Sequence, residues 1–354
     1  MSGPRRIEVT GVVGLPEIRS GDDLGPLIVG HSDPPLRDGD VVVVTSKVIS
    51  KAGGLVRSTA RAGLVAAHTA RVVARHGSTN IVRTRRGLTL AAAGLDTSNT
   101  AAGTVLMLPD DPDAEAVALR RSLRTLTGTN VAVVVTDTAG RPWRQGQTDM
   151  AIGVAGMLPV HDLTGVADGY GNILAVTAPA VADAVAAAAD LVQGKLERIP
   201  VAVVTGLAAW VLPVEVDGPG AAALVRPAEA DLFGWGAADA VRVAVRRDDP
   251  DREAGFALPM VSTGQLIDDA MAAADRTTVT ARPAEEGWDI EAVDGGSGAR
   301  AVWEAAAFVE RLRVLAVSAR RELELTVDVF ADDASPRLAR VRFAELPSSD
   351  AATT

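Results

Sequence analysis

Three adjacent residues, Thr136-Asp137-Thr138, place two hydroxyls and a carboxylate directly after an apolar run at residues 131–135. Such oxygens are hard ligands that suit Mg²⁺ or Mn²⁺, which usually take few protein carboxylates beside water and substrate phosphates. A buried strand ending in these side chains would hold them in the fixed geometry that a metal site needs. The next residues turn at Ala139-Gly140, which is expected to bring Arg141, Arg144 and Gln147 back towards the same pocket.

Three further polar clusters interrupt the apolar pattern of the first 245 residues. They are GLPEIRSGDDL at 14–24, TSKVISKAGG at 45–54 and AAAGLDTSNT at 91–100. Each has an ordinary structural interpretation: a helix N-cap for Asp22-Asp23, a solvated face for Lys47 and Lys51, and an Asx turn for residues 96–99. Arg141 and Arg144 could likewise make surface ion pairs.

Taken together, the four clusters favour phosphate and metal chemistry. Ser46 and Lys51 supply a hydroxyl and a cation beside a Gly-rich turn, which suits phosphate oxygens. Asp96, Asn99 and the Asp137-Thr138 pair supply hard oxygen ligands. The sequence contains no P-loop, dinucleotide-binding or nucleophile-elbow motif. A zinc site is not expected because there is no cysteine and the four histidines are scattered: His31, His68, His76 and His161.

Bulk properties exclude several other classes. The net charge of −10 argues against nucleic acid as a partner, since phosphate neutralisation needs a basic face. The absence of cysteine rules out disulfides and thiol nucleophiles. The N-terminus has no signal-peptide pattern, and no apolar stretch approaches the ~20 residues of a membrane span. We therefore expect a cytoplasmic protein without a membrane partner.

Valine-rich strands alternate with alanine-rich helices, which predicts a mixed α/β (α+β) fold. Strands are expected at 40–45, 131–135 and 201–204, and helices at 58–76, 112–127 and 179–192, the last with Pro179 in its first turn and Gly194 as its cap. A charged, proline-containing segment near residue 245 predicts a domain boundary. Residues 246–347 then form a small α+β module with strands at 277–281, 288–293, 323–330 and 338–343 and a helix at 299–321. Residues 348–354 are expected to be a disordered tail.

At these motifs the chain resembles the coenzyme F420-0:γ-glutamyl ligase family, over residues 7–246. The resemblance rests on GLPEI at 14–18, DGDVVVVTSK at 38–47 with Ser50-Lys51, AAGLDTSN at 92–99 and TDTAGRPWRQGQTD at 136–149. It continues with AADLVQGK at 188–195, Arg226-Pro227 and DLF at 231–233. The resemblance implies a CofE-like ligase fold for residues 1–245.

The resemblance also implies an activity. Family members join L-glutamate to coenzyme F420-0, or its dehydro precursor, with GTP, through an acyl phosphate. They use two divalent metal ions (Mg²⁺ or Mn²⁺) and K⁺, and they form an intertwined homodimer. Position by position, the GTP contacts would be Leu15, Pro16, Glu17, Ile18, Ser46, Lys51 and Asn99. Asp96 and Asp137 would bind one metal and Thr138 the second. Lys51, Arg141 and Arg144 are the candidate catalytic residues.

The chain departs from the family pattern at Gly53, Leu55, Ala184 and Thr205. These changes keep two alternatives open: a paralogue that ligates an amino acid to another carboxylate, and a non-catalytic nucleotide-binding regulator. The flavin-binding half of the two-domain family members is larger than the chain left after residue 245, so no FMN is expected.

Overall fold

The computed structural model describes residues 6–76, 79–227, 267–268, 270–271, 279–284, 287–292, 299–318 and 337–341. The chain divides into two compact units, Met1–Arg226 and Pro227–Thr354. The predicted boundary at residue 245 and the predicted tail at 348–354 lie outside the described residues, so both stay predictions.

The first unit contains the four polar clusters that the sequence singled out. Its helices and strands are, in chain order, β1 (Glu8–Gly11), α1 (Leu24–His31), β2 (Val41–Thr45), α2 (Ser46–Ala52), β3 (Val56–Arg57), α3 (Arg61–His68), β4 (Thr69–His76), β5 (Thr79–Thr84), β6 (Thr89–Ala91), β7 (Val105–Leu106), α4 (Pro112–Thr127), β8 (Ala132–Arg141), β9 (Arg144–Ala155), α5 (Val181–Gln193) and β10 (Val201–Thr205). Short 3₁₀ turns lie at Ala92–Gly94, Ala208–Trp210 and Ala221–Leu224.

A five-stranded sheet in the order β1-β10-β2-β8-β9 forms the centre of this unit. Strands β2 and β8 are parallel, and the other neighbours are antiparallel. The valine runs of β2, β8 and β10 are buried on both faces, as expected of strands that are covered on both sides. The mixed α/β fold predicted from the sequence is confirmed.

Alternate valines of these strands face two separate cores. On one face, Val42, Val44 and their neighbours pack with α1 and α4; on the other, Val41 and Val43 pack with α5. Helix α4 has the bounds predicted from the sequence because its ends are well specified. The Asp111 carboxylate accepts a hydrogen bond from the Ala114 N–H, Pro112 begins the helix, and Gly128 ends it at φ 75°.

The predicted helix at residues 58–76 is wrong over its second half. Helix α3 ends at His68, and β4 follows at once, paired antiparallel with β5. Residues 69–76 contain β-branched Thr69, Val72 and Val73, which favour a strand once a partner is available. Local periodicity did not reveal that partner. The strands β4-β5-β6 form a three-stranded sheet, and β3 pairs with β7.

The predicted turn at Ala139-Gly140 is also wrong. Strand β8 continues to Arg141, the chain turns at Pro142-Trp143, and β9 pairs with β8 along its length. Helix α5 begins at Val181, so Pro179 precedes it instead of lying in its first turn, while Gly194 caps its end as predicted.

The second unit contains a three-stranded antiparallel sheet in the order β11 (Val279–Ala284), β12 (Gly287–Ala292) and β13 (Arg337–Val341). Helix α6 (Ala299–Ser318) contacts all three strands, and Phe308 and Leu312 pack in the core with Ile290. These elements agree with the predicted small α+β module, with strand bounds shifted by one to three residues. The strand predicted at 323–330 lies outside the described residues.

Candidate active site

The largest group of predicted site residues meets where β2 ends beside the middle of β8. Because these strands are parallel and Thr45 is in register with Thr136, the residues that follow β2 come close to Asp137 and Thr138, which continue β8 beyond its pairing with β2. A cavity of about 420 Å³ opens there. That volume is within the range of small-molecule sites.

Asp137 lies at the bottom of the cavity. Its Oδ1 accepts a hydrogen bond from the Ser46 hydroxyl at 3.1 Å. Burial raises the pKa of Asp137 to about 6; Lys47 and Ser46 oppose the rise, and the negative charges of Asp149 and Asp96 add to it. Burial of the Asp137 carboxylate is the main cause of this rise, and a bound metal ion would stabilise the charged form.

Asp149, which is 5% exposed, joins two threonines of the neighbouring strand. It lies opposite Thr138 in the β8–β9 hairpin. Its two carboxylate oxygens accept hydrogen bonds from the Thr136 hydroxyl at 2.9 Å and the Thr138 hydroxyl at 2.7 Å. Burial and the adjacent Asp149 raise the pKa of Asp190, which lines the cavity from α5.

Asp96 reaches the site through an ion pair. The Lys47 ammonium lies 2.6 Å from Asp96 Oδ2, and the side chain of Lys47 is 16% exposed, so Lys47 is not on a solvated face. Ser98 donates to both oxygens of Asp96 from its backbone and its hydroxyl, which is the predicted Asx turn. Burial raises the pKa of Asp96, but Lys47 and Ser98 outweigh burial and lower it to about 2. Asp96 is therefore an anion, available to a cation.

The loop Leu15–Ile18 forms one wall of the cavity. Lys51 from α2 donates to Glu17 Oε1 at 2.6 Å, and this hydrogen bond lowers the pKa of the Glu17 carboxyl. The guanidinium of Arg198 approaches the other oxygen of Glu17 at 3.8 Å. Asp23, in contrast, accepts a hydrogen bond from the Gly25 N–H and caps α1, which is the ordinary structural interpretation of that cluster.

The end of α5 forms the opposite wall. Gln193, 2% exposed, donates to the carbonyls of Val43 and Pro200 at 3.3 and 3.2 Å and so fixes the helix end against β2 and β10. Gly194 follows with a positive φ of 56°. Lys195 then donates from its ammonium to the Thr138 hydroxyl at 3.0 Å.

Most of the predicted site residues line this one cavity: Leu15, Pro16, Glu17, Ile18, Ser46, Lys51, Asn99, Asp137 and Thr138. Asp96 is outside the lining but is linked to it by Lys47. Arg141, Arg144 and Gln147 do not line it; they are exposed at the tip of the β8–β9 hairpin, where Arg141 donates to the Gln145 carbonyl. Their roles stay predictions.

Five charged residues line the cavity although no role was predicted for them: Lys47, Asp149, Asp190, Lys195 and Arg198. Asp149 did have a signal in the sequence. If the polar residues at 136–138 and the Thr148-Asp149 pair are placed on the two strands of one hairpin, Asp149 comes opposite Thr138. Lys195 ends the AADLVQGK motif but had no role assigned to it, and Arg198 offered no local signal; helix α5 and the turn after it bring both residues to the cavity. Among the described residues there is no group of three His, Cys, Asp or Glu side chains placed to hold a metal ion by themselves.

Comparisons with known proteins bear on the same region. A family model described as F420-0:Gamma-glutamyl ligase matches residues 12–73 and 60–206. The coenzyme F420:L-glutamate ligase of Methanothermobacter thermautotrophicus is 38% identical over 251 residues, covering 64% of this chain and 98% of that protein. The proteins of the same name from Archaeoglobus fulgidus and Methanopyrus kandleri are 40% and 37% identical, covering 57% and 61% of this chain and 88% and 93% of their own lengths. Every residue that lines the cavity falls within the matched region.

In the part of the chain that the structure describes, every helix is too short or too polar to span a bilayer.

Proposed function

The chain belongs to the F420-0:gamma-glutamyl ligase family and is therefore a ligase, and from this premise we propose that it joins L-glutamate to coenzyme F420-0 by an amide bond, with GTP as the phosphoryl donor. One observation carries the proposal. The cavity at the ends of β2 and β8 combines buried carboxylates with lysine ammonium groups, and nucleotide-dependent ligation needs both.

The nucleotide would lie along the loop Leu15–Ile18 and the start of α2. Leu15, Pro16 and Ile18 offer apolar contacts to a base, while the Ser46 hydroxyl and the Lys51 ammonium suit phosphate oxygens. Lys51 is held by Glu17 at 2.6 Å, which fixes its position before a ligand arrives. Asn99, on the facing loop, adds a side-chain amide with both donor and acceptor atoms.

The proposal places one divalent cation at Asp96 and Asp137, the two carboxylates that the family resemblance assigns to one metal. Asp96 is an anion held by Lys47, and the pKa of Asp137 is raised mainly by burial, with the negative charges of Asp149 and Asp96 adding to the rise. Two carboxylates with water and phosphate oxygens are a usual set of ligands for Mg²⁺ or Mn²⁺. The cation would neutralise charge that develops on the transferred phosphoryl group. K⁺ is included in the proposal as an accessory cation.

The reaction would then proceed in two steps. A carboxylate oxygen of the acceptor attacks the γ-phosphorus of GTP, and GDP leaves, which gives an acyl phosphate. The amine of glutamate attacks the acyl carbon, the amide bond forms, and inorganic phosphate leaves as the amine loses a proton. Lys51 stabilises charge on the phosphoryl group during transfer, and the enclosing walls limit access of water to the acyl phosphate.

A homodimer is part of the proposal. The exposed fractions of Tyr170, Ile173 and Val176, in the segment between β9 and α5, are 95%, 64% and 89%. At the tip of the β8–β9 hairpin, Trp143 is 83% exposed. Apolar side chains in such number on a surface are typical of an interface. Arg141 and Arg144 lie at the same tip, outside the cavity of their own chain, so they would hold a substrate carboxylate only in the cavity of a second copy.

The departures from the family pattern give little support to a different acceptor. Gly53, Leu55, Ala184 and Thr205 all lie outside the cavity lining. Gly53 caps α2, Ala184 is exposed on α5, and Thr205 ends β10 beside β1. The charges that surround the reacting atoms are therefore unaffected by these four positions.

The test is an assay of the purified full chain with GTP, MnCl₂, KCl, L-glutamate and F420-0, followed by mass spectrometry. The expected result is a product heavier by one or more glutamyl residues, together with GDP and phosphate, and a slower reaction when NaCl replaces KCl. GDP formed only with another carboxylate acceptor would favour the paralogue. If GTP does not bind in the presence of Mn²⁺, both enzyme hypotheses fail. GTP binding without GDP formation from any acceptor would favour the nucleotide-binding regulator.

A further inference from the structure

Arg198 lines the cavity from the short link between α5 and β10, and its backbone has an unusual conformation there. Its φ is 60°, in the left-handed region that disfavours residues with a Cβ and that glycine adopts freely. Such strain persists only where the surrounding structure fixes the backbone, and it often accompanies a functional side chain. The conformation of Arg198 therefore calls for a reason in what its side chain does.

The residues after Arg198 fix its backbone. Ile199 packs so closely on β1 that a Cβ added to Gly11 would lie 2.8 Å from Ile199 Cγ2. The Pro200 carbonyl accepts a hydrogen bond from the Thr45 N–H at 3.0 Å. The start of β10 is thus anchored against β1 and β2, and the guanidinium of Arg198 extends from a fixed point of the cavity wall.

The ion pair between Arg198 and Glu17 is loose. Arg198 Nη2 lies 3.8 Å from Glu17 Oε2, beyond hydrogen-bond distance, and the two side chains are 86% and 56% exposed. Ion pairs of this kind contribute little to stability, so a carboxylate of a ligand can replace Glu17 at the guanidinium. Lys51 differs, because it donates to Glu17 Oε1 at 2.6 Å and its side chain is 14% exposed.

Glu17 also sets the spacing of the two cations. Its two oxygens face Lys51 and Arg198, so a single carboxylate group separates the guanidinium from the ammonium that the proposed function assigns to phosphate. In the ligation step the amine of glutamate must reach the acyl carbon that carries this phosphate. Amine and α-carboxylate share one carbon atom, so the residue that binds the α-carboxylate must lie close to the phosphoryl group. Arg198 meets this condition.

The other carboxylate near the reaction suits Arg198 less well. The reacting carboxylate of the acceptor needs its electron pair for attack on phosphorus, and two hydrogen bonds from a guanidinium would make it a weaker nucleophile. The α-carboxylate of glutamate stays anionic in both steps, so the same contact only orients the amine. The planar guanidinium matches the two oxygens of a carboxylate in pairs, whereas an ammonium is a compact charge that serves phosphate.

We propose that Arg198 binds the α-carboxylate of L-glutamate and thereby directs its amine to the acyl phosphate. This inference rests on the proposed function and adds the residue that selects an α-amino acid as the nucleophile. The left-handed backbone at Arg198, which glycine would relieve, is retained because the guanidinium is needed at this point of the wall.

The test compares L-glutamate with L-isoglutamine, in which an uncharged amide replaces the α-carboxylate, by steady-state kinetics. In the wild type, kcat/KM should be about 10–100-fold higher for glutamate, the usual effect of one charge-assisted contact. Arg198→Gly should lose this preference by raising KM for glutamate, so that the ratio of the two kcat/KM values falls close to one. Its KM for GTP and for F420-0 should stay that of the wild type.

Arg19→Gln is the matched control. Arg19 also interacts with the charge of Glu17, but it lies outside the cavity lining, so its substitution should leave the preference for glutamate unchanged. The unfolding temperature of Arg198→Gly should stay close to that of the wild type, because glycine adopts the positive φ without strain. If Arg198→Gly does not fold, Arg198→Gln is measured in the same way, with the same expected ratio.

The outcomes are distinguishable. A wild type that uses both amino acids equally well, or a folded Arg198→Gly that keeps the wild-type ratio, would overturn the inference and leave the proposed function intact. A rise in KM for GTP or F420-0, with KM for glutamate unchanged, would overturn it as well, since Arg198 would then bind another substrate. The absence of any glutamylated product from the wild type would overturn the proposed function and the inference together.

Discussion

Asp137 combines burial with negative neighbours, and its substitution should separate function from stability. At neutral pH, above its raised pKa of about 6, the carboxylate is charged in both the folded and the unfolded state. Burial of this charge destabilises the folded state. A shift of this size corresponds to up to about 3 kcal/mol. Asp137→Asn should therefore raise the unfolding temperature of the metal-free protein while reducing turnover by about 10²–10³-fold, measured by scanning calorimetry and product formation.

The control for Asp137→Asn is Asp113→Asn. Asp113 accepts hydrogen bonds from the backbone N–H groups of Val154 and Ala221, away from the cavity. Its substitution should lower the unfolding temperature and leave Mn²⁺ affinity unchanged. Wild-type turnover by a folded Asp137→Asn variant would contradict the assignment of Asp137 to the metal.

Lys51 is expected to act mainly in nucleotide binding. Its side chain is 14% exposed and its ammonium is held by Glu17, so it reaches a phosphate with little loss of side-chain freedom. Lys51→Met should raise the Kd for GTP by about 10–100-fold, the usual effect of losing one charge-assisted contact, measured by calorimetry. Arg57→Gln removes an exposed cation that donates only to nearby backbone carbonyls and should bind GTP as the wild type does. Equal affinities for Lys51→Met and the wild type would remove Lys51 from the site.

At the scale of elements, helix α5 is fixed at both ends. Gln193 joins its C-terminal end to β2 and β10, and Asp183 accepts a hydrogen bond from the Ala151 N–H of β9 at its N-terminal end. Because Gly194 and Lys195 follow this helix, its anchoring positions one wall of the cavity. The stability of α5 is therefore linked to the geometry of the site.

Asp183 gives α5 a predictable dependence on pH. Burial raises the pKa of Asp183, opposed by the hydrogen bond from Ala151. The folded state therefore holds this proton more tightly than the unfolded state, and the associated stability is lost as the pH rises through the folded-state pKa. In Asp183→Asn, which keeps a carbonyl acceptor, this loss is absent. The difference in unfolding temperature, variant minus wild type, should increase between pH 4 and pH 7; a constant difference would show that Asp183 does not titrate as described.

At the scale of the whole molecule, the homodimer proposal makes a strict prediction. If Arg144 acts in the cavity of a second copy, Arg144→Ala and Asp137→Asn impair different parts of the same composite site. Each variant alone should be nearly inactive. Mixing the two under conditions that exchange subunits should restore activity, because one site of each mixed dimer then has Asp137 from one chain and Arg144 from the other.

The mixing experiment has a built-in control. Mixing Asp137→Asn with Lys51→Met should restore nothing, because both residues line the cavity of the same chain and each mixed dimer keeps one defect in each site. Light scattering measures the oligomeric state of every sample. A monomeric wild type, or the absence of recovery in stable mixed dimers, would contradict the role of Arg144 across an interface.

The sequence by itself determined the elements whose signals are local. The uninterrupted valine runs specify buried strands, and the Asp111, Pro112 and Gly128 signals specify the limits of α4. The motifs also identified Ser46, Lys51 and Asp137, since polar residues that directly follow a buried strand have few structural reasons to be there. The family resemblance rested on the same local patterns.

Only the tertiary structure decided which of these residues meet. Pairing β4 with β5 overrode the helical pattern of residues 69–76, and pairing β9 with β8 carried Arg141 and Arg144 away from the pocket. The same hairpin placed Asp149 against Thr138, and helix α5 delivered Lys195 from 57 positions further along the chain. The physical reason is that strand pairing and helix docking depend on partners distant in sequence, whereas periodicity and capping are read within a few residues.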